Sequence, residues 1–146
     1  MPVIFTIPGE PQGKARPRVV RNRYTGKTST YTPEKTKDYE ELVRGKYKEV
    51  ANNANFGEQP LEVCITAYFS VPKSKNRKQK SLMLSNVLYP VKKPDCDNIA
   101  KIICDALNGI AYKDDSQIVK LNVYKAYAEI PSVKVVIFDV SESLPF

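Results

Sequence analysis

A short acidic stretch contains the residues whose types and spacing suit chemistry. Between residues 95 and 115 it contains Asp95, Asp97, Asp105, Asp114 and Asp115, with Lys101 among them. Carboxylate oxygens are preferred ligands of hard cations such as Mg²⁺, and a lysine beside them suits an anionic substrate or transition state. Taken singly, an aspartate before a helix is more often a cap or a turn residue, so a purely structural interpretation stays open. The spacing of the whole set favours a metal-assisted reaction on an anion.

A helix is predicted between the acidic residues. Pro94 disfavours the helical conformation in the residue before it, so the helix begins after Pro94, and Asp97 suits the N-cap. The pair Asn108-Gly109 is a typical C-terminal stop. Apolar residues recur at helical spacing at Ile99, Ile102, Ile103, Ala106, Leu107 and Ile110. The opposite, polar face contains Asp97, Lys101, Asp105 and Asn108. Asp114 and Asp115 follow in a loop, so the carboxylates converge only if the chain folds back.

Residue types that are missing or rare exclude several mechanisms. The sequence contains no histidine, which excludes Ser-His-Asp and Cys-His nucleophilic mechanisms and a histidine general base. Three cysteines without a C-x-x-C motif argue against a disulfide framework and against a zinc site. Cys64 and Cys104 are predicted to be buried packing residues, and Cys96, between two aspartates, is a poor nucleophile. Hydrolysis here would therefore rely on water activated by a metal ion.

The distribution of charge favours an anionic partner. The 23 lysines and arginines exceed the 16 acidic residues and give a net charge of +7. Residues 11–33 contain six basic residues and no acidic one, and residues 63–94 contain seven and none. Five acidic residues then fall between Asp95 and Asp115. Basic tracts on both sides of an acidic cluster are typical of a metal-dependent enzyme that acts on a polyanion such as nucleic acid.

The remaining elements predict one α+β domain over residues 1–146, with helices packed on one sheet. Strands are predicted at 3–7, 61–71, 118–127 and 133–140, the last of them buried on both faces. A helix begins at Thr32-Pro33-Glu34, with Thr32 as N-cap and Pro33 at the first helical position. Residues 9–31 are predicted to be a basic loop or arm, and the basic segment 73–80 opens a second helix.

The central stretch resembles the RusA family of Holliday-junction resolvases. The family pattern P-D-x-D-N-x-x-K-x-x-x-D-x-L-x-G followed by D-D matches Pro94-Asp95-Cys96-Asp97-Asn98-Ile99-Ala100-Lys101, then Asp105, Leu107, Gly109 and Asp114-Asp115. The opening Gly9-Glu10-Pro11-Gln12-Gly13-Lys14-Ala15-Arg16-Pro17-Arg18 is also similar to the family's start. The resemblance implies a mixed sheet with helices packed on it and a Mg²⁺-dependent endodeoxyribonuclease.

The resemblance also implies roles for individual residues. Asp95, Asp97 and Asp115 would be catalytic carboxylates that hold Mg²⁺, with Mn²⁺ as a substitute and Asp114 as an alternative ligand. Lys101 would be the catalytic lysine that neutralises charge on the phosphate or orients the attacking water. Asp105 shares the polar face of the helix and can either take part in the site or simply pair with Lys101 at i, i+4. The resemblance further implies a homodimer, since a four-way junction presents two equivalent strands to a twofold pair of sites.

Contacts with branched DNA are predicted on the basic tracts. Side chains of the arm can grip phosphates, and Tyr24 can stack on an unpaired base. Basic residues around 73–80, and those just before the acidic stretch, can line the same surface. The predicted DNA-binding set is Lys14, Arg16, Arg18, Arg21, Arg23, Lys73, Lys75, Arg77, Lys92 and Lys93.

Two other functions remain open at this point. In the first, the protein binds DNA without catalysis, and the aspartates are only caps and turns. In the second, Asp95 and Asp97 hold a nucleoside triphosphate for phosphotransfer; such an enzyme usually has a glycine-rich phosphate loop, and none is present. No apolar run approaches the ~20 residues of a membrane helix, and residues 1–9 are too short and uncharged for a signal peptide. We therefore expect a cytoplasmic protein without a membrane partner.

Overall fold

The computed structural model describes residues 2–16, 18–31 and 33–143. The main sheet contains four strands, which are β1 (Val3–Pro8), β4 (Leu61–Ser70), β5 (Ile118–Ala128) and β6 (Ser132–Asp139). A separate hairpin contains β2 (Arg18–Arg21) and β3 (Thr28–Tyr31). The helices are α1 (Glu34–Ala51), α2 (Arg77–Leu84) and α3 (Cys96–Leu107). Short 3₁₀ turns span Asp115–Gln117 and Val140–Ser143.

The main sheet is mixed, as expected. Its strand order is β1-β6-β4-β5, and β4 pairs with β5 in parallel while the other two pairs are antiparallel. A parallel pair needs a long crossover, and residues 71–117, which include α2 and α3, supply it. The α+β class with helices packed on one sheet is therefore confirmed.

Strand β4 has the strict alternation that was predicted for a half-buried strand. Leu61, Val63, Ile65, Ala67 and Phe69 are buried, and the intervening side chains are half-buried. The buried face packs into a core with α1 and α3, because each helix presents an apolar stripe to it. Burial of the apolar stripe of α3 fixes how that helix is rotated, so its polar residues lie outside the core.

Strand β6 differs from its prediction. The run Val135, Val136, Ile137 suggested burial on both faces. In the fold Val133, Val135 and Ile137 are buried, whereas Val136 is half-buried and Phe138 is exposed. The reason is that α1 and α3 pack with the face that contains Val133, Val135 and Ile137, and an apolar run in the sequence does not reveal how many layers will cover a sheet.

The helix starts also differ in detail. The residue before α3 is Asp95, not Asp97, and its side chain makes no capping hydrogen bond. Asp97 lies inside the first turn, where an acidic side chain is favoured by the helix dipole. Pro33 occupies the N-cap position of α1, and Thr32 lies outside the described residues. Helix α2 begins at Arg77 with a capping box between Asn76 and Gln79.

The basic arm forms a hairpin. Strands β2 and β3 pair from Arg18↔Tyr31 to Arg21↔Thr28. At the tip, the Asn22 side chain accepts hydrogen bonds from the backbone N–H groups of Tyr24 and Thr25. The Tyr24 side chain is 98% exposed. None of the helices in the described ranges is long and apolar enough to cross a membrane.

Candidate active site

One cavity brings together the residues at the two ends of the acidic stretch. It has a volume of about 320 Å³ and is called the acidic cavity below. Its charged lining residues are Asp97, Lys101, Asp105 and Asp115. The chain therefore folds back as the prediction required, and α3 and the 3₁₀ turn Asp115–Gln117 face the same space.

Helix α3 supplies three of these four charges from its polar face. Asp97, Lys101 and Asp105 follow one another at intervals of four residues, so they lie in one row along the helix. The Lys101 Nζ and the Asp105 Oδ2 atoms are 3.8 Å apart. The Lys101 side chain is 62% exposed, so the ammonium group is accessible to a phosphate.

Asp115 is positioned by a segment anchored to the loop after α1. Its neighbour Gln117 donates hydrogen bonds from Nε2 to the carbonyl oxygens of Gly57, at 3.0 Å, and Gln59, at 2.7 Å. The backbone N–H of Lys113 also donates to the Gly57 carbonyl at 3.1 Å. Sequence reasoning missed Gln117, because a contact across 60 residues has no local signal.

Asp95 lies on the other side of the helix start. It lines a larger cavity of about 830 Å³, together with Lys92, Lys93, Pro94 and Asn98 from the same loop. Residues 10–16 of the N-terminal segment form the facing wall. This space is called the basic cavity below. The two proposed metal ligands Asp95 and Asp97 thus open into adjoining cavities at the N-terminus of α3.

A charged network connects the N-terminal segment to the polar face of α3. The Lys14 Nζ is 2.9 Å from the Glu40 carboxylate and 3.6 Å from the Asp105 carboxylate. The Asp105 side chain is only 26% exposed and lies between Lys14 and Lys101. The predicted pairing of Asp105 with Lys101 is present. The ion pairs of Lys14 with Glu40 and Asp105 could not be predicted, because no local pattern connects these residues.

A close backbone approach holds the N-terminal segment against α3. The Lys14 N–H donates to the Asn98 carbonyl at 3.3 Å. At Gly13, an added Cβ would lie 3.0 Å from the Pro94 Cβ and 3.2 Å from the Asn98 Cβ. These contacts are tight, so glycine is the residue that allows the segment to lie this close.

Asp114 has a structural partner. Its side chain accepts a hydrogen bond from the Ser116 N–H at 3.1 Å, and Gln117 completes a capping box around it. The hydrogen bonds from Ser116 lower the pKa of Asp114. Asp115, rather than Asp114, lines the acidic cavity.

The three cysteines lie in different environments. Cys104 is buried at the base of the acidic cavity, and burial raises the pKa of its thiol from 9.0 to about 12. Cys96 is exposed, and Cys64 is half-buried on the sheet face away from the helices. The predicted burial of Cys104 is confirmed, whereas Cys64 is less buried than expected because α1 and α3 pack against the opposite face of β4.

The predicted DNA-binding residues fall into three groups. Arg16, Lys92 and Lys93 are exposed and line the basic cavity, which Lys14 also lines. Arg21 and Arg23 are exposed on the hairpin, and the Arg18 side chain lies outside the described residues. The segment before and at the start of α2 contains exposed Lys73 and Arg77 and half-buried Lys75.

The carboxylates of the acidic cavity suit Mg²⁺ as an incomplete ligand set. Asp97 and Asp115 offer hard oxygen donors without histidine or thiolate competition, whereas Asp105 is paired with two lysines. Among residues 2–16, 18–31 and 33–143, no three acidic or sulfur side chains lie close enough to form a complete metal-binding group. Mg²⁺ usually keeps several waters and needs only one or two protein carboxylates plus substrate phosphates, so the donor set fits this ion.

Carboxylates that line one cavity and exposed cations that line the other suit an anionic polymer as the partner. The chain matches the family model described as Endodeoxyribonuclease RusA over residues 8–138, and it belongs to this family. A Bacillus subtilis (strain 168) protein with the name Uncharacterized protein YqaN is 38% identical over 143 residues, which cover 94% of this chain and 96% of the relative. The family assignment supports endonuclease activity on DNA and a role in recombination.

Proposed function

We propose that the protein is a Mg²⁺-dependent endonuclease that resolves four-way DNA junctions by paired strand cleavage. The observation that carries this proposal is that Asp97, Lys101 and Asp115 line one cavity in a chain of the RusA family. The family resemblance assigns catalytic roles to the same three residues. Asp97 and Lys101 lie on α3, and Asp115 lies in a turn that follows it. That they line one cavity supports the assignment, since residues that only cap helices and turns need not come together.

The aspartates are the proposed metal ligands. Asp97 and Asp115 both line the acidic cavity, and Asp95 lines the basic cavity. When bound, Mg²⁺ supplies polarisation of the scissile phosphate and activation of the attacking water. Mn²⁺ prefers similar oxygen donors, so we expect it to substitute. Asp114 is the proposed alternative ligand, although its side chain caps the 3₁₀ turn.

Lys101 is the proposed electrostatic group. Its ammonium is exposed toward the acidic cavity, and Asp105 holds it on one side at 3.8 Å. An amine placed there can neutralise the negative charge that grows on the phosphate oxygens as the bond breaks. A lysine is suited to this role as a compact point charge.

A homodimer is the proposed active form. Two equivalent strands of a junction require two equivalent sites, and a twofold dimer presents them. Several large apolar side chains are exposed after α2 and on β5, which packs against α2. They are Val87, Leu88, Tyr89, Val91, Val119, Leu121 and Tyr124. Exposed apolar side chains of this kind are candidates for contact with a second subunit.

The direct test is cleavage of a labelled synthetic four-way junction with Mg²⁺. We expect paired symmetrical nicks on the junction and none on a linear duplex of the same sequence. Asp97→Asn should reduce the cleavage rate by about 10²–10³-fold, as for removal of one group that stabilises the transition state. Lys48→Met, far along α1, is the control and should cleave as the wild type does.

Two outcomes would contradict the proposal. Equal cleavage by wild type and Asp97→Asn would mean that the acidic cavity is not the active site. Tight junction binding without cleavage by the wild type, in Mg²⁺ or Mn²⁺, would favour the DNA-binding protein without catalysis.

A further inference from the structure

We propose that the basic cavity receives one unstacked nucleotide of the DNA strand, with its base between Gln12 and Asn98 and its phosphates on the surrounding lysines. The inference rests on the proposed function, because it takes branched DNA as the substrate. It adds a nucleotide-binding site beside the acidic cavity and explains how a branched structure would be distinguished from duplex.

The size and walls of the cavity suit a nucleotide. Its volume of about 830 Å³ lies within the roughly 300–1,000 Å³ that is typical of small-molecule sites. Accessible apolar surface is supplied mainly by the half-buried Pro94 and Ala15, with the buried Pro11 and Phe69 beneath them. Apolar side chains such as these can pack against the face of an extruded base.

Two free amides line the same space. The side chains of Gln12 and Asn98 are half-buried. Neither side chain makes a hydrogen bond within the part of the chain that the structure describes. An amide offers both a donor and an acceptor, which is the combination that pairs with the edge of a base.

Unneutralised cations surround the opening. The Lys92 and Lys125 ammonium groups lie 5.8 and 5.1 Å from the centroid of the Phe69 ring. Neither ammonium forms an ion pair with any described residue. Lys92 lines the cavity together with the exposed residues Arg16, Lys35 and Lys93. Lys125 is not part of the lining, and its ammonium donates a hydrogen bond to the Lys92 carbonyl.

The acidic residues of the cavity do not cancel this charge. Of the two carboxylates in its lining, Glu10 accepts a hydrogen bond from the Ser70 N–H at 3.3 Å, and Asp95 is a proposed metal ligand. Two ammonium groups that share one ring repel each other, and a bound phosphate would relieve the repulsion. The cavity thus combines apolar walls, free amides and a cationic opening, which together match a nucleotide.

The location connects this site to the cleavage site. Asp95 lines the basic cavity, and Asp97, two residues further on, lines the acidic cavity. A nucleotide in the first cavity would thus have its phosphate close to the second. Removing a base from a duplex costs a few kcal/mol, and the cost is least where pairing is already lost, so the site would favour DNA at a branch point.

The test is 2-aminopurine fluorescence during binding without a divalent cation, so that cleavage does not interfere. The probe base is placed singly at each position around the crossover of a four-way junction and in a matched linear duplex. We expect fluorescence to rise at one position of the junction when the wild type binds, and at no position of the duplex, because 2-aminopurine brightens when it leaves the stack.

Variants assign the signal to the cavity. Gln12→Leu should lose the fluorescence rise and bind the junction about tenfold more weakly, the effect of one missing base contact. Gln12→Glu keeps the shape of the side chain and should also lose the fluorescence rise. This second variant keeps the test valid if Gln12→Leu misfolds. Lys92→Met should weaken junction binding. Lys48→Met should change neither the fluorescence rise nor the binding, because Lys48 lies 13 residues beyond Lys35 in α1, about 20 Å along the helix.

The outcomes separate this inference from the proposed function. If the wild type cleaves junctions but no probe position brightens, or if Gln12→Leu and Gln12→Glu brighten as the wild type does, the nucleotide site is wrong and the nuclease stands. If the wild type brightens one position but never cleaves, the site is supported and the catalytic proposal fails. If the wild type binds no branched DNA, both fail.

Discussion

Asp105 lies between two lysines, and this placement defines its part in the site. Its carboxylate is 3.6 Å from the Lys14 ammonium and 3.8 Å from the Lys101 ammonium. A half-buried carboxylate paired on both sides is suited to hold Lys101 in place. The same pairing leaves less of its charge available to a metal ion than at Asp97 or Asp115, which have no ion-pair partner among the described residues.

We therefore predict that Asp105→Asn and Asp97→Asn differ in kind. Asp105→Asn should slow junction cleavage by about 10–100-fold, the usual cost of losing a group that orients an active-site residue, with the Mg²⁺ concentration for half-maximal rate unchanged. The measurement is a Mg²⁺ titration of single-turnover cleavage for both variants. A shift of the Mg²⁺ midpoint in Asp105→Asn would instead identify Asp105 as a ligand.

A second prediction at this scale concerns the thiols. Cys104 is buried, and the pKa of its thiol is raised to about 12, so it carries almost no thiolate at neutral pH. Cys96 is exposed. Iodoacetamide at pH 8 should modify Cys96 in the folded protein at least about tenfold faster than Cys104. Peptide mass spectrometry follows the two sites, and both should react alike in urea. Equal rates in the folded state would contradict the burial of Cys104.

At the scale of elements, the site depends on how the N-terminal segment docks on α3. The segment approaches the helix start at Gly13, and Lys14 reaches past it to Glu40 of α1 and Asp105 of α3. The N-terminal segment thus forms a wall of the basic cavity and also places the Lys14 ammonium beside the acidic cavity. The 3₁₀ turn that contains Asp115 is held in a comparable way through Gln117.

Gly13→Ala tests this docking. The added methyl would press on Pro94 and Asn98 at 3.0 and 3.2 Å, so we expect a loss of about 1–3 kcal/mol in the free energy of unfolding, as for other overpacked sites. Junction binding should weaken with it. The matched control is Gly45→Ala in α1. No atom of the described residues lies within 4 Å of a Cβ added at Gly45, and the higher helix propensity of alanine should raise the free energy of unfolding by about 0.5–1 kcal/mol. Urea unfolding measures both, and equal stabilities of wild type and Gly13→Ala would rule out the tight contact.

At the scale of the whole molecule, the core contains tyrosines that titrate unusually. Burial raises the pKa of Tyr39, Tyr47 and Tyr112 above the ordinary 10.0. Above the unfolded-state pKa, the unfolded chain loses these protons while the native chain keeps them. The contribution to stability is therefore complete below about pH 9 and is lost as the pH rises through 10 toward the raised values.

Two conservative variants separate this effect from hydrogen bonding. The Tyr39 hydroxyl is buried and makes no hydrogen bond among the described residues, so Tyr39→Phe should be neutral or stabilising at pH 7 and should reduce the alkaline loss. The Tyr112 hydroxyl donates to the Cys104 carbonyl at 2.7 Å, so Tyr112→Phe should cost about 1 kcal/mol at pH 7. Thermal melts between pH 7 and 11 compare them. An unchanged alkaline loss in both variants would refute the titration.

The local pattern of the sequence determined most of the elements. The alternation in β4, the apolar stripe of α3 and the stop at Asn108-Gly109 could be predicted, because strand and helix periods and caps are properties of neighbouring residues. The acidic residues could be identified by type and spacing for the same reason. The N-cap of α3 was misplaced by two residues, since Asp95 and Asp97 are both good caps and only the packing of the apolar stripe selects between the two starts.

Only the tertiary structure decided which of these residues meet. Asp115 joins Asp97 and Lys101 because Gln117 ties its turn to Gly57 and Gln59, and Asp95 opens into a different cavity because α3 is rotated by its buried stripe. The contacts of Lys14 with Glu40 and of Gly13 with Pro94 join parts of the chain 26 and 81 residues apart. Such contacts follow from how α1, α3 and the sheet close around one core, and no local pattern of residues encodes that closure.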